Sequence, residues 1–360
     1  MRLATPRGAK DRDFMSSGGV ATINDVAKYA EVSIKTVSRV MNDEPNVREE
    51  TRAKVREVAN RLQYRPNLLA RSLAGSRSFL IGLLHDNPVT SYVYDLQMGA
   101  IERCREDKYH VLSEPLLHQA GDLEQRISSL LATIRLDGVI LTPPLCDMNV
   151  VLQTIEAAGV PYVRIAPYHY QGQSASVGMD DSRAAYEMTR HLLGLGHRDI
   201  GFVLGHPDHG ASHPRFDGFQ RAMADAGLVP RPEWIKPGRF DYESGVEAGK
   251  ALFAASQRPT AIFASNDLMA FGVIAEAHEA GVGVPDDVSV VGFDDNPGAT
   301  LVWPHLTTIH QPVKEMAWQA GRLLMELAAG KMTAETFRSQ DVMLDFALVS
   351  RLSTAAPKKA

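Results

Sequence analysis

The feature that most restricts this chain is the alternation, from residue 78 to residue 295, of short apolar runs with stretches of helical periodicity. SFLIGLLHD (78–86), YHVLSEP (109–115), DGVILTPP (137–144) and PYVRIAP (161–167) form one set. DIGFVLG (199–205), TAIFASN (260–266) and VSVVGFDD (288–295) form a second, with amphipathic segments such as RFDGFQRAMADAG between them. Brief runs that are apolar on both faces suit parallel strands covered by helices on either side. The pattern therefore predicts βαβ units building two doubly wound parallel sheets. Ligands bind such sheets beyond the carboxyl ends of the strands, and two facing sets of ends make a cleft.

The rest of the chain differs in charge. The formal net charge is −5, yet residues 1–78 carry 15 Lys and Arg against 9 Asp and Glu, while the remainder carries 23 against 34. A basic head on an acidic body is the arrangement expected where only one module must neutralise phosphates. At 44% hydrophobic and 22% charged residues the composition is that of a globular protein. No apolar run nears the ~20 residues a membrane span needs. Segment 1–19 has no apolar core of a secretory signal and reads as a disordered tail, so a cytoplasmic protein is expected. Cys104 and Cys146 are the two cysteines of the chain, too few for a disulfide framework or a cysteine-built zinc site, and read as structural thiols.

The head resolves into short helices. Thr22 precedes INDVAKYA with Asp25 three residues on, and Ile23, Val26, Ala27 and Ala30 recur at helical spacing. Glu31 and Val32 make a turn, and Ser33 then caps IKTVSRVM, which buries Val37, Val40 and Met41 and directs Ile34, Lys35, Ser38 and Arg39 outward. This is a helix-turn-helix. A third helix, from about Arg48 to Gln63, buries Val55, Val58, Ala59 and Leu62 after the Asn42–Val47 loop. Three helices around one small core are a DNA-reading head, whose second helix enters the major groove. The segment YRPNLLARSLAGSRS (64–78) then offers roughly two turns between Pro66-Asn67 and Gly75, too short to be stable alone. Its Leu68, Leu69 and Leu73, flanked by Arg65, Arg71 and Arg77, suit a linker that folds on DNA.

TINDVAKYAEVSIKTVSRVMN, YRPNLLARSLAG and the two-sheet body, in that order, resemble the LacI family of bacterial transcription regulators over about residues 20–354. The resemblance implies a small all-α helix-turn-helix head (20–64), a hinge helix (65–78) and a periplasmic-binding-protein-like α/β body (79–354), followed by a tail (355–360). It places an N-subdomain at about 79–177 plus 313–338 and a C-subdomain at about 178–312 plus 339–354. By similarity Ile34, Lys35 and Arg39 fall on base-reading positions and Leu73 on the leucine that wedges into the minor groove. Thr22, Ser33, Thr36, Ser38 and Asn42 in the head, with Asn67 and Arg71 in the hinge, complete the expected DNA-facing set. Arg39 could fork onto guanine O6 and N7, or reach a phosphate instead; Ile34 offers apolar contact. The implied partners are a pseudo-palindromic operator, a second copy of the chain and a small effector, with no cofactor. STAAPKKA carries no leucine heptads, so a dimer is expected rather than a coiled-coil tetramer.

Polar groups stand at the predicted strand ends. His85-Asp86-Asn87 follows the first, Asn266-Asp267 and Asp294-Asp295 follow later ones, and Arg215 begins a helix after the Gly205–Pro214 loop. Carboxylates accept from hydroxyls, Arg forks onto adjacent oxygens, and Phe240 or Tyr92 can cover the apolar face of a sugar ring. The resemblance assigns Arg215, Phe240, Asn266 and Asp294 to effector contact; the alternative for Asp267 and Asp295 is that they cap the next helix. One departure concerns PYVRIAP, where many relatives carry an acidic residue and this chain has Ala166. Strand alternation puts Arg164 on the same face, where it would favour an acidic sugar or else pair with a nearby carboxylate. The expected effector set is thus His85, Tyr92, Arg164, Arg215, Phe240, Asn266 and Asp294.

Other classes fare worse. His206, His209 and His213 sit in a Gly/Pro loop that gives no rigid frame for zinc, so no metal is expected. Walker, G-x-S-x-G and dinucleotide signatures are absent from the sequence, which argues against catalysis. A sugar-binding receptor would account for the body but not the head. Within the regulators, a carbohydrate-responsive repressor is expected; a nucleobase-type corepressor, or activation, is the alternative.

Overall fold

Thr22 opens the first helix by a reciprocal cap. In the computed structural model its hydroxyl accepts from Asp25 N while the Asp25 carboxylate accepts from Thr22 N at 2.9 Å, which satisfies two of the helix's orphan donors. The structure describes residues 21–41, 43–65, 77–87, 89–117, 121–169 and 172–358. Asn42, Asn67, Arg71 and Leu73 lie outside them, as do the N-terminal tail and most of the linker. The chain forms two compact units, residues 1–78 and 79–360.

In the first unit, helices α1 (Ile23–Ala30), α2 (Ile34–Met41) and α3 (Glu49–Arg61) enclose Val26, Ala30, Val37, Val40, Val55 and Val58. Glu31, at φ 56°, turns the chain between α1 and α2. Ser33 Oγ accepts from Thr36 N at 3.1 Å at the start of α2. Both helices match the segments read from the sequence, and α3 is shorter by a residue or two at each end.

The second unit contains two parallel sheets. The first has the order β11-β5-β4-β3-β1-β2, built from Leu80–His85 (β1), His110–Pro115 (β2), Gly138–Leu141 (β3), Tyr162–Ile165 (β4), Ala175–Met179 (β5) and Asp341–Leu344 (β11). The second has the order β7-β6-β8-β9, from Ile200–Val203 (β6), Ile235–Lys236 (β7), Ala261–Ala264 (β8) and Ser289–Val291 (β9). A short antiparallel pair joins Thr308–His310 (β10) to Ala347–Val349 (β12). β11 corrects the expected boundary. Asp341–Leu344 pairs with Ser176–Met179 in the first sheet, so the chain returns to the second lobe only after Leu344 rather than after residue 338.

Both sheets reverse strand order beside their first strand, between β1 and β3 and between β6 and β8. These are the switch points at which successive connections pass to opposite faces and leave a crevice beyond the strand ends. Helices Thr90–Glu106 and Val313–Ala328 pack together on the first lobe, and Asp181–Gly194 lies against Ser212–Asp225. One buried cluster runs from Ile81, Val163 and Val177 through Met188 to Phe202, Phe219 and Phe263. This core fixes the strand ends that face the crevice.

Candidate functional site

The outer surface of α2 is the first candidate. Ile34 is half exposed, and Lys35 and Arg39 are exposed beside it, while Val37 and Val40 on the opposite face are buried. Ile34 thus stands beside two cations on one exposed helix face, a grouping that could meet base edges, where an apolar side chain can contact a thymine methyl. Arg39 makes a long ion pair with Glu44, Nε to Oε2 at 3.7 Å, which at this exposure holds it only weakly. Ser38 is only partly exposed, and Thr22, Ser33 and Thr36 are engaged in the two helix starts, their side chains bonded locally.

The second candidate is the crevice of the α/β unit. Asn87, Val89 and Tyr92 line it after β1, Pro143 after β3, Ala166 after β4 and Asp181 after β5. From the other sheet come His209, Ala211 and Arg215 after β6, Arg239 and Phe240 after β7, Asn266 after β8 and Asp294 after β9, with Gln311 after β10. Every parallel strand end near a switch point thus contributes, as the topology requires.

Phe240 is 7% exposed and takes φ 64°, a left-handed conformation costly for an aromatic residue. It is held there from both sides. Asn266 Nδ2 donates to the Phe240 carbonyl at 2.9 Å, and Asp241 begins the following helix by accepting from Ser244 N at 2.7 Å. Gly205 makes room for the ring, since a Cβ there would fall 2.0 Å from Phe240 Cζ. Strain maintained by this many contacts is the mark of a residue whose placement matters.

Arg215 is buried among opposite charges. Its Nε donates to Asp181 Oδ1 at 2.8 Å, its Nη1 to the Ser265 carbonyl at 2.6 Å, and Nη1 lies 3.8 Å from Asp294 Oδ1. The guanidinium carbon sits 3.7 Å from the Phe293 ring centre. Gln311 Nε2 donates to Asp294 Oδ1 at 2.5 Å. Burial pushes the Asp294 carboxyl up to about 6, against the opposing pull of Arg215 and Gln311. Behind it Asp267 is held well above the usual carboxylate range by burial and by Asp294, and it accepts from Asn296 N and Thr308 Oγ1. Burial likewise raises the Tyr92 hydroxyl, which stays a phenol and therefore a donor.

Several expected site residues are placed differently. Arg164 is fully buried and does not line the crevice; it donates to Ser174 Oγ, the Cys146 carbonyl and the His169 carbonyl, with Asp147 at 3.9 Å. The strand ends at Ile165 and Ala166 takes φ 46°, so the alternation that would have aligned Arg164 with Ala166 stops between them. His85 is turned inward onto Ser113 Oγ at 3.1 Å, and its neighbour Asn87 reaches the crevice instead. Asn266 lines the site, but its amide is engaged by Phe240 and by the helix it caps. Asp295 binds Arg351 Nη2 at 2.6 Å and His310 Nδ1 at 3.1 Å, away from the lining. Asp181 and Gln311 were not anticipated; the pair Asp180-Asp181 directly after ASVGM was the signal available for the first.

Aromatic faces flanking a guanidinium and two carboxylates can hold a ring that carries hydroxyls or amides. Two family models match the chain: bacterial regulatory proteins of the lacI family over residues 22–67, and a periplasmic binding protein-like domain over residues 189–354. Catabolite control protein A of Priestia megaterium is 34% identical over 335 residues, covering 92% of this chain and 99% of that protein. Two solved structures superpose along most of the chain. The lac repressor dimer bound to operator and the anti-inducer ONPF has TM-score 0.80 at 27% identity, covering 94% of this chain and 100% of that one. A transcriptional regulator CelR–cellobiose complex has TM-score 0.71 at 28% identity, covering 92% and 99%. Among the described residues no helix is long and apolar enough to cross a membrane. With helical head, switch-point crevice and full-length likeness in agreement, this chain belongs to the lacI family of bacterial regulatory proteins, DNA-binding transcription regulators controlled by an effector.

Proposed function

We propose that this regulator is a homodimeric repressor of carbohydrate-utilisation genes, acting in the cytoplasm without catalytic activity, whose hold on a pseudo-palindromic operator is controlled by a sugar or sugar derivative. One head reads few base pairs, and a two-fold pair of heads doubles the contacts and sets half-site spacing. Ile34, Lys35 and Arg39 are the base-facing side chains in this reading, with Leu73 as the minor-groove wedge. The observation that carries the effector class is Phe240, buried under strain 5.7 Å from the Arg215 guanidinium, in a crevice lined by Tyr92 and two carboxylates. Such a face suits the C–H side of a pyranose, while Arg215, Asp181 and Asp294 address its rim. The CelR–cellobiose complex supports a sugar in this fold.

Duplexes selected from a random-sequence pool by the full-length protein test the first part. They should converge on a two-fold pseudo-palindrome, and light scattering should give the mass of two chains. Fluorescence anisotropy with the selected duplex then tests the second, using a panel of neutral sugars and nucleosides. Release of DNA by a sugar is the expected result. Response to nucleosides alone would replace the carbohydrate reading with the nucleobase one, and a sugar that tightens binding would overturn induction.

A further inference from the structure

Resting on the reading of the crevice as the effector site, we infer that Asp181 is a specificity-determining residue that restricts the effector to uncharged, hydroxyl- or amide-bearing ring compounds and shuts out carboxylated and phosphorylated ones. The argument is one of local charge. Arg215 is the buried cation of the crevice, and it is already neutralised, by Asp181 at 2.8 Å and by Asp294 at 3.8 Å. The side chains of Arg215, Asp181 and Asp294 are 6%, 10% and 16% exposed, so solvent screens this group little. Two carboxylates therefore surround one guanidinium.

Other cations do not make up the difference. Arg239 lines the crevice but is about half exposed and paired with Asp241 at 3.3 Å and Glu247 at 3.2 Å. Arg164 is enclosed by Ser174 and backbone carbonyls, outside the lining. His209 is in ring contact with His206 and Phe240. An anionic ligand would bring a further negative charge beside Asp181 and Asp294 in a setting of low effective dielectric, and among the described residues that line the crevice no other buried cation stands ready to answer it. A neutral polyhydroxyl ligand meets no such penalty. Among the described residues Arg215 Nη2 makes no hydrogen bond, and it can donate to a ligand oxygen while the carboxylates accept from hydroxyls.

Asp181 also positions that donor. It stands at the first turn of the helix Asp181–Gly194, where the helix end favours a carboxylate, and it fixes the guanidinium through Nε so that the opposite nitrogen stays available. Asn at 181 would keep an oxygen facing Nε and remove the charge.

The test is calorimetric titration of the full-length protein with matched pairs: glucose with glucose 6-phosphate and glucuronate, ribose with ribose 5-phosphate, and adenosine with its monophosphate. In every pair that binds, the neutral member should be at least about tenfold tighter, ~1.4 kcal/mol. Asp181→Asn should narrow that ratio by about tenfold, a change in selectivity that loss of a merely structural contact would not produce. An anionic compound that binds wild type as tightly as its neutral partner overturns the inference, and leaves the sugar reading intact if that partner is a sugar. Adenosine binding without any sugar overturns the sugar reading and leaves the charge rule standing. No binding by any neutral compound overturns both. Should the variant lose its fold by circular dichroism, the wild-type ratios alone decide, and a folded variant with unchanged ratios refutes the role of Asp181.

Discussion

Replacing Arg215 by methionine removes the one guanidinium between Asp181 and Asp294 while keeping most of the aliphatic volume. The structure sets the size of the effect. A charge-assisted hydrogen bond to Asp181 and a bond to the Ser265 carbonyl are lost, and two carboxylates remain buried without their partner. Breaking a buried pair from one side costs about 3–5 kcal/mol, far more than the pair's net worth, because the abandoned charge cannot be resolvated. For a body of this length the unfolding entropy is about 0.6 kcal/mol/K, so the melting midpoint should fall by roughly 5–8 °C. The deficit must also depend on pH. Asp294 titrates at about 6 with Arg215 present, and its pKa rises further once the cation is gone. A carboxyl raised in the folded state costs stability only where it is forced to ionise, so the gap between variant and wild type should shrink as pH falls from ~8 to ~5.5. Adding Asp181→Asn to the variant should restore about 1–2 kcal/mol, since one orphaned charge is removed. Urea and thermal unfolding followed by circular dichroism measure all three. A deficit under about 1 kcal/mol, or one that is the same at both ends of this pH range, would refute the account of the crevice as a charge-balanced group.

Burial lowers the pKa of His85, His191 and His197 below the unfolded value, so the stability that these three groups contribute should be lost as pH falls from ~6.5 towards ~5, opposite in sign to the relief of Asp267 and Asp294 on protonation. His197→Gln should therefore lose less stability than wild type between pH ~6.5 and ~5, and equal losses in the two proteins, read from urea unfolding, would count against it. Gly205→Ala should displace the Phe240 ring, since its Cβ would fall 2.0 Å from Cζ, and weaken effector binding by about tenfold or more with DNA affinity in the absence of effector unchanged. In the head, Arg39→Ala should cost about 1–3 kcal/mol on the preferred duplex and relax the preference at one base pair. A uniform loss on all duplexes, with the salt slope lower by about one, would instead make Arg39 a phosphate contact.

Much of this was legible because the signals are local. INDVAKYA and IKTVSRVM carry their own caps and their own apolar stripes, and the seven strands that the sequence predicts are all present, because each contains a short apolar stretch flanked by turns. β5 escaped for the opposite reason: Ala175, Ser176 and Gly178 are small and poor in β propensity, and the strand is specified by pairing, with β4 on one side and with Asp341–Leu344, far along the chain, on the other. Missing β5 meant missing Asp181 at its end. Arg164 shows a different limit. Period-two reasoning is valid only while the strand lasts, and the left-handed turn at Ala166 ends it one residue too soon. The resemblance makes Asn266 an effector contact, yet its type and place also describe a helix N-cap, and the structure adds a bond from its amide to the Phe240 carbonyl, which holds the backbone under the ring.

The division of the lining between the two lobes limits what kind of ligand can act as a signal. Direct contacts between the lobes include Asn296 Nδ2 to Ser91 Oγ at 2.6 Å and the stacking of His213 on Tyr168 at 5.2 Å. Gly210 packs so closely that a Cβ would lie 2.3 Å from Tyr168 Cβ. Single contacts of this kind contribute about 1 kcal/mol each, comparable to what one well-placed ligand hydroxyl adds. The lobe arrangement is therefore one that a ligand can bias. Phe240, Arg215, Asn266 and Asp294 all belong to the second lobe, and a molecule that touched these alone would bind without preferring one arrangement over another. A ligand shifts an equilibrium only by its differential affinity for the two states. On the proposed reading of the crevice as the effector site, a signalling effector has to reach Asn87 or Tyr92 across the crevice as well, so that the first-lobe residues would decide whether a bound compound regulates and the second-lobe residues whether it binds.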